Sequence, residues 1–185
     1  GSSKSKIGLI HKLKSVNREL NIPIVYVSHS ASEIMALSDQ VSIVSNGTVI
    51  NSGNPSIIFN HDDLNSIEFE NFFECEVIDS SNLRLARQNV LITNQDFDGQ
   101  SHIMISINSS DIILSNHHPI GISAQNIFMG HVIDYIVSGN NVLVLSDVGE
   151  KIWSKITVDS FRRLKLSKST EVYLIIKSSN INFQN

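Results

Sequence analysis

Few side chains in this sequence have catalytic or ligating chemistry. Seven histidines are present. His29 sits between Ser28 and Ser30, just after the apolar run that ends at Val27. A histidine at the C-terminal edge of a strand can donate a hydrogen bond to a phosphate oxygen and polarise an attacking water. A hydrolase pairing of His29 with its neighbouring serines is a poor alternative, because adjacent strand residues point to opposite sides. The Gly-x-Ser-x-Gly elbow of serine hydrolases does not occur. His117-His118 precede Pro119, and His61 precedes Asp62-Asp63. Neither has the spacing of H-E-x-x-H or C-x-x-C, so both read as polar loops and no metal site is expected. Cys75 is the one cysteine, which excludes a disulfide within the chain and fits a reducing, cytoplasmic setting. Two polar clusters remain, Ser123-Ala124-Gln125-Asn126 and Lys177-Ser178-Ser179. Each taken alone reads as a turn before a strand and a solvated strand end.

The elements that must position these residues fall into two regions. The 185 residues suffice for one sizeable domain or two small ones, and 41% hydrophobic residues can fill a core. Fourteen Lys and Arg against 18 Asp and Glu give a net charge of −4, which argues against a nucleic-acid binder. No apolar run approaches the roughly 18 residues of a membrane span. The opening Gly1-Ser2-Ser3 reads as a remnant of cloning, so the chain is expected to be an excised piece.

Ile7, Leu9, Ile10, Leu13, Val16 and Leu20 follow steps of mostly three and four, an amphipathic helix. Ile22 to Val27 is expected to be a short buried strand with Pro23 at its start. Ser30 and Glu33 form a capping-box pattern for a helix from Ala31 to Leu37. Asn46-Gly47 marks a hairpin between Val41–Ser45 and Thr48–Asn51, and Pro55 opens a short helical turn. From Phe72 onward, β-branched and polar residues alternate, as in His102–Leu114, Val132–Leu145 and Glu171–Phe183. One helix, Val158 to Leu166 with Thr157 as its N-cap, interrupts them. Trp153 is expected on a strand, partly buried.

The β-rich part repeats itself. Phe73 to Asp79 matches Phe128 to Asp134 at an offset of 55, and Ile107 to Ile112 matches Ile176 to Ile181 at an offset of 69. The difference is about the length of the predicted helix. Two copies of one small β module, the second with a helical insertion, explain both matches. Copies this small are expected to pack on each other.

The first region resembles the end of an ATP-binding-cassette nucleotide-binding domain. The residues that carry this are Val25-Tyr26-Val27-Ser28-His29-Ser30, then Glu33, Leu37, Asp39 and Val41, and later Asn46-Gly47-x-Val49 and Gly53. The resemblance implies that His29 is the switch histidine that approaches the ATP γ-phosphate. No Gly-x-x-x-x-Gly-Lys-Ser/Thr phosphate loop occurs, nor the signature segment or the Walker-B acidic pair. These residues are therefore expected neither to bind ATP tightly nor to hydrolyse it. ATP and Mg²⁺ would belong to a full-length parent.

The second region is similar to the C-terminal domain of molybdate importer ATPases, built from paired molybdate-binding (Mop, or TOBE) modules. The resemblance rests on Ser123-Ala124-Gln125-Asn126-Ile127-Phe128-x-Gly130, on Lys155-Ile156-Thr157, and on Ile176 to Ile181. Gln125 departs from the usual arginine of the first motif. The implied fold class is α+β. Residues 1–66 would be the remnant of the nucleotide-binding domain. Residues 67–185 would be a tandem OB-like β-barrel domain, with modules at about 67–118 and 119–185. The implied ligand is molybdate or tungstate, bound by Ser123, Ala124, Gln125, Asn126, Lys177, Ser178 and Ser179. Hydroxyls, backbone N–H groups approached past small side chains, and one cation suit a tetrahedral dianion. The first copy has Glu68 where the second has Ser123, and Asn108 where it has Lys177, so one competent site per chain is expected. The resemblance further implies a homodimer, a transmembrane permease partner for the parent, and a place on the inner face of the cell membrane. The alternative is a structural dimerisation or docking domain of a sugar, polyamine or other importer.

Overall fold

The computed structural model describes residues 2–28, 33–34, 37–58 and 69–184. The chain divides into two compact units, Gly1–Ile67 and Glu68–Asn185. It is mostly β-sheet with few helices.

The first unit opens with helix α1 (Ser2–Leu20). Asn21 ends it with a positive φ of 49°, its N–H bonded to Asn17 O at 2.9 Å. Asparagine tolerates that left-handed turn better than most residues. The expected strand at Ile22–Val27 does not form: residues 21–28 are irregular, and Val25 and Val27 are 92% and 86% exposed. A buried strand needs neighbours to satisfy its backbone groups, and none lies beside this segment among the described residues. Asn46-Gly47 joins β1 (Val41–Ser45) to β2 (Thr48–Gly53) with positive φ at both positions, the primed turn that matches strand twist. A single turn, α2 (Pro55–Ile58), follows.

The second unit is two five-stranded antiparallel sheets. The first copy supplies β3 (Glu70–Asp79), β4 (Asn82–Leu85), β5 (Gln88–Leu91), β6 (His102–Asn108) and β7 (Ile113–Ser115), with a 3-10 turn at Ser109–Asp111. The second copy supplies β8 (Asn126–Ser138), β9 (Asn141–Asp147), β10 (Lys151–Thr157), β11 (Glu171–Ile176) and β12 (Asn182–Gln184), with a 3-10 turn at Ser178–Asn180. Helix α3 (Val158–Arg163) separates β10 from β11, and Thr157 Oγ1 caps it by accepting from Ser160 N–H at 3.1 Å.

The repeat extends to irregularities. The β3–β4 ladder shifts register between Val77 and Asp79, and the β8–β9 ladder shifts between Val132 and Asp134, 55 positions on. A bulge re-aims a strand and is a specific feature, so its recurrence marks one module used twice.

The copies do not form separate sheets. The strand orders are β12-β6-β3-β4-β5 and β10-β9-β8-β11-β7. Each copy gives its last strand to the other's sheet: β7 pairs with β11, and β12 pairs with β6. One apolar core runs through both, from Phe73, Leu83 and Ile105 to Val144, Ile152 and Leu174. Each such side chain, fully buried, contributes about 1.5–3 kcal/mol. Separating the copies would expose much of that core and both borrowed strands.

Candidate functional site

Strand register brings the two polar clusters together. β8 and β11 run antiparallel with Asn126 opposite Ile176. Ser123, Ala124 and Gln125, just before Asn126, therefore reach the same end of the strand pair as Lys177, Ser178 and Ser179, just after Ile176. We term this end the second corner. Ser123, Gln125, Lys177 and Ser179 are exposed, and Ala124 and Ser178 are half-buried. Lys177 precedes the 3-10 turn without capping it. Among the described residues, the Ser178 N–H has no protein acceptor. The corner thus presents hydroxyls, uncommitted backbone donors around a small Ala124, and one ammonium group, with no carboxylate in either cluster. That set suits a compact anion with several acceptor oxygens.

Asn126 has a different task from its neighbours. Its side chain is buried, at 1% exposure, and holds the backbone of Leu91 at both ends. Oδ1 accepts from Leu91 N–H at 2.7 Å, and Nδ2 donates to Leu91 O at 2.8 Å. Leu91 ends β5, an edge strand of the other sheet. The amide therefore joins the sheets, and Leu91 O takes one of its two N–H donors. The equivalent residue 55 positions earlier, Asn71, does the same in reverse. Asn71 Oδ1 accepts from Trp153 N–H at 2.8 Å, and Nδ2 donates to Trp153 O at 2.9 Å and to Ile107 O at 3.1 Å. Sequence reading missed this reciprocal clamp. Its signal was available: an asparagine recurs at the repeat offset in otherwise divergent surroundings.

The first corner, at the equivalent end of β3 and β6, is built differently. Phe69 stands where Ala124 stands and is 2% exposed, its ring 5.9 Å from that of Trp153 at a 60° tilt. Phe69 O accepts from Ser109 N–H at 2.7 Å, closing the bond that Ser178 lacks. Glu70, in the place of Gln125, accepts from the Ser106 hydroxyl at 2.6 Å. Asn108, in the place of Lys177, turns back to accept from Ser110 N–H at 2.9 Å. Ser109 is fully buried, and its Oγ has no partner among the described residues.

Comparison with known proteins follows the same line. Residues 122–183 match the TOBE domain family. The match begins one residue before Ser123 and takes in Lys177, Ser178 and Ser179, so the matched stretch contains the whole second corner. The chain is similar to molybdenum import ATP-binding proteins. It is 28% identical to ModC of Photorhabdus laumondii over 95% of this chain and 53% of that protein. It is 27% identical to ModC of Escherichia coli K12 over 94% of this chain and 52% of that one. The chain spans about half the length of these curated relatives. The chain also has a likeness in fold to the cytoplasmic molybdate-binding protein ModG. The molybdate-bound crystal form of ModG superposes with a TM-score of 0.55 at 18% identity, over 62% of this chain and 94% of that one.

The remaining candidates are placed as follows. His29 lies outside the described residues, as does Ser30 of the capping box. The Glu33 carboxylate accepts hydrogen bonds from Tyr26 and Ser28. His118 packs edge-on against Tyr173, with centroids 5.5 Å apart. Cys75 is fully buried on β3, and burial, helped by Glu150 and Glu74, pushes its thiol up to about 12. An open cavity of about 420 Å³ lies at the β3–β4 turn and the 94–100 loop, and none of the seven second-corner residues lines it. No helix among the described residues is long and apolar enough to cross a membrane.

Proposed function

We propose that this chain is part of the ATP-binding subunit of a molybdate or tungstate importer, and that its second unit binds the transported oxyanion and regulates transport. One observation carries the reading: the Asn126–Ile176 register gathers Ser123, Ala124, Gln125, Lys177, Ser178 and Ser179 at one strand end, with no acceptor for the Ser178 amide among the described residues. A tetrahedral dianion would take the Ser123, Ser178 and Ser179 hydroxyls and the Ser178 amide as donors. Lys177 would balance half its charge. Charge-assisted hydrogen bonds contribute roughly 1.5–3 kcal/mol each. Four to five of them offset ordering costs and reach the roughly 8 kcal/mol of micromolar affinity.

In the parent, residues 1–66 close a nucleotide-binding domain in which His29 senses the γ-phosphate. No phosphate loop is present among these residues, so no step of ATP hydrolysis is assigned to them. The parent pairs as a homodimer, docks on a membrane-spanning permease and sits at the cytoplasmic face. Oxyanion bound at the TOBE domain then couples to the nucleotide domains through one quaternary state.

Calorimetric titration with molybdate, tungstate and sulfate tests the reading. Saturable molybdate or tungstate heat that Lys177→Ala weakens at least tenfold supports it. Silence with all three anions leaves the second reading, a dimerisation or docking domain without ligand. The observation in its favour is that four of the seven residues are exposed and the Asn126 amide already bonds Leu91 at both ends.

A further inference from the structure

We infer that the first corner is a second oxyanion site of the same design, kept blocked by its own side chains, with the Phe69 ring standing where the anion would sit. The inference rests on the oxyanion reading of the second corner and extends it to residues that reading leaves aside.

The two corners correspond part by part. Each begins at a buried asparagine, Asn71 or Asn126, that clamps the other copy's edge strand. Each ends at a serine-led 3-10 turn, Ser109–Asp111 or Ser178–Asn180. The backbone frame for an anion is therefore present twice. Only the fillings differ. Phe69 fills the space that Ala124 leaves open, and its carbonyl takes the Ser109 amide. Glu70 brings a carboxylate where Gln125 is neutral, and Asn108 removes the cation. A dianion placed there would meet an aromatic ring and a negative charge.

The Ser109 hydroxyl is a second observation that fits this design. It is the counterpart of Ser178, it is fully buried, and it has no partner among the described residues, a condition it shares with the Ser146 and Ser154 hydroxyls on β9 and β10. A buried hydroxyl without a partner is costly, about 1–3 kcal/mol, and is seldom kept without reason. As a donor to an anion it would be satisfied. With Phe69 in the way it is stranded.

The test replaces the blocking residues with those of the second corner: Phe69→Ala, Glu70→Gln and Asn108→Lys together. Molybdate stoichiometry, measured by calorimetry, is expected to rise from one to two per chain. Adding Lys177→Ala to the unblocked protein should leave one tight site, whereas Lys177→Ala alone leaves none. The reverse graft, Ala124→Phe with Gln125→Glu, should abolish binding in the otherwise native chain while leaving the melting transition and Trp153 fluorescence in place. That graft needs no change to the first corner, so it remains informative if the unblocked protein folds poorly. A stoichiometry that stays at one in a folded, unblocked protein overturns the inference and leaves the oxyanion reading standing. So does a graft that still binds. Absence of binding to the native chain overturns the oxyanion reading itself, and the inference with it.

Discussion

The two corners of the second unit share a backbone and differ in a handful of side chains. In the first, Phe69, Trp153 and the Ser109–Phe69 bond close the strand end with protein atoms. In the second, Ala124 and Lys177 leave it open, and Leu91 occupies the place of Trp153 against the clamping asparagine. The difference teaches that the module's framework is held by the buried asparagines and the exchanged strands, independently of any ligand. What fills the corner is a separate choice. A stabilising filling and a binding site are alternatives at one position.

The largest effect should come from the part the corners share. Asn71→Ala would strand the Trp153 N–H and carbonyl in a buried seam, and each unsatisfied group costs about 1–3 kcal/mol. We expect a loss of about 3 kcal/mol in urea unfolding, and a slightly smaller one for Asn126→Ala, which makes two bonds instead of three. Equal and negligible losses would break the shared-framework view. Next comes the part that differs. Lys177→Ala should weaken molybdate binding by roughly 10- to 100-fold, the worth of one charge-assisted hydrogen bond, while Asn108→Ala leaves the affinity unchanged by calorimetry.

A third contrast lies along the strands. Cys75 and Gly130 are equivalent at the repeat offset, yet only the first has room for a side chain. A Cβ at Gly130 would lie 2.2 Å from Asp147 O and 2.8 Å from Val148 Cγ1. Gly130→Ala should therefore cost about 2 kcal/mol through overpacking, read as a lower melting temperature. Cys75→Ala should cost less. The last effect, absent at neutral pH, is Cys75's own pH dependence. Its folded-state value of about 12 lies above the ordinary thiol range, so the buried neutral form contributes stability fully below about pH 9. That contribution is lost as pH rises from about 9 toward 12, by at most about 1.4 kcal/mol per pH unit. Cys75→Ala should flatten the fall in a pH series of urea titrations.

Much of this was legible in the sequence. Alternation gave the strands, Asn46-Gly47 the hairpin, Thr157 the cap of α3, and the offsets of 55 and 69 the duplicated module. The convergence of Ser123–Gln125 with Lys177–Ser179 followed from the family resemblance, and the β8–β11 register supplies its geometry. Three things were not legible. The segment from Ile22 to Val27 has the composition of a buried strand, but composition cannot say whether a neighbouring strand is there to receive it. The Asn126–Leu91 clamp was hidden, because a side chain's partner across 35 positions is invisible to local pattern. The exchange of β7 and β12 was also hidden, since either sheet would satisfy three residues of alternating polarity equally well.

That exchange bears on how a doubled domain comes to exist. A chain with one copy alone would offer its final strand with no sheet of its own to receive it, and would carry an unfilled edge beside β6 or β11. Two such chains would complete each other by trading strands, at a strength set by their concentration. Joining the copies through the short connection between β7 and β8 makes that trade intramolecular, at an effective concentration on the order of millimolar. Once joined, the halves no longer need to be identical, and one corner is free to become a plug while the other stays open.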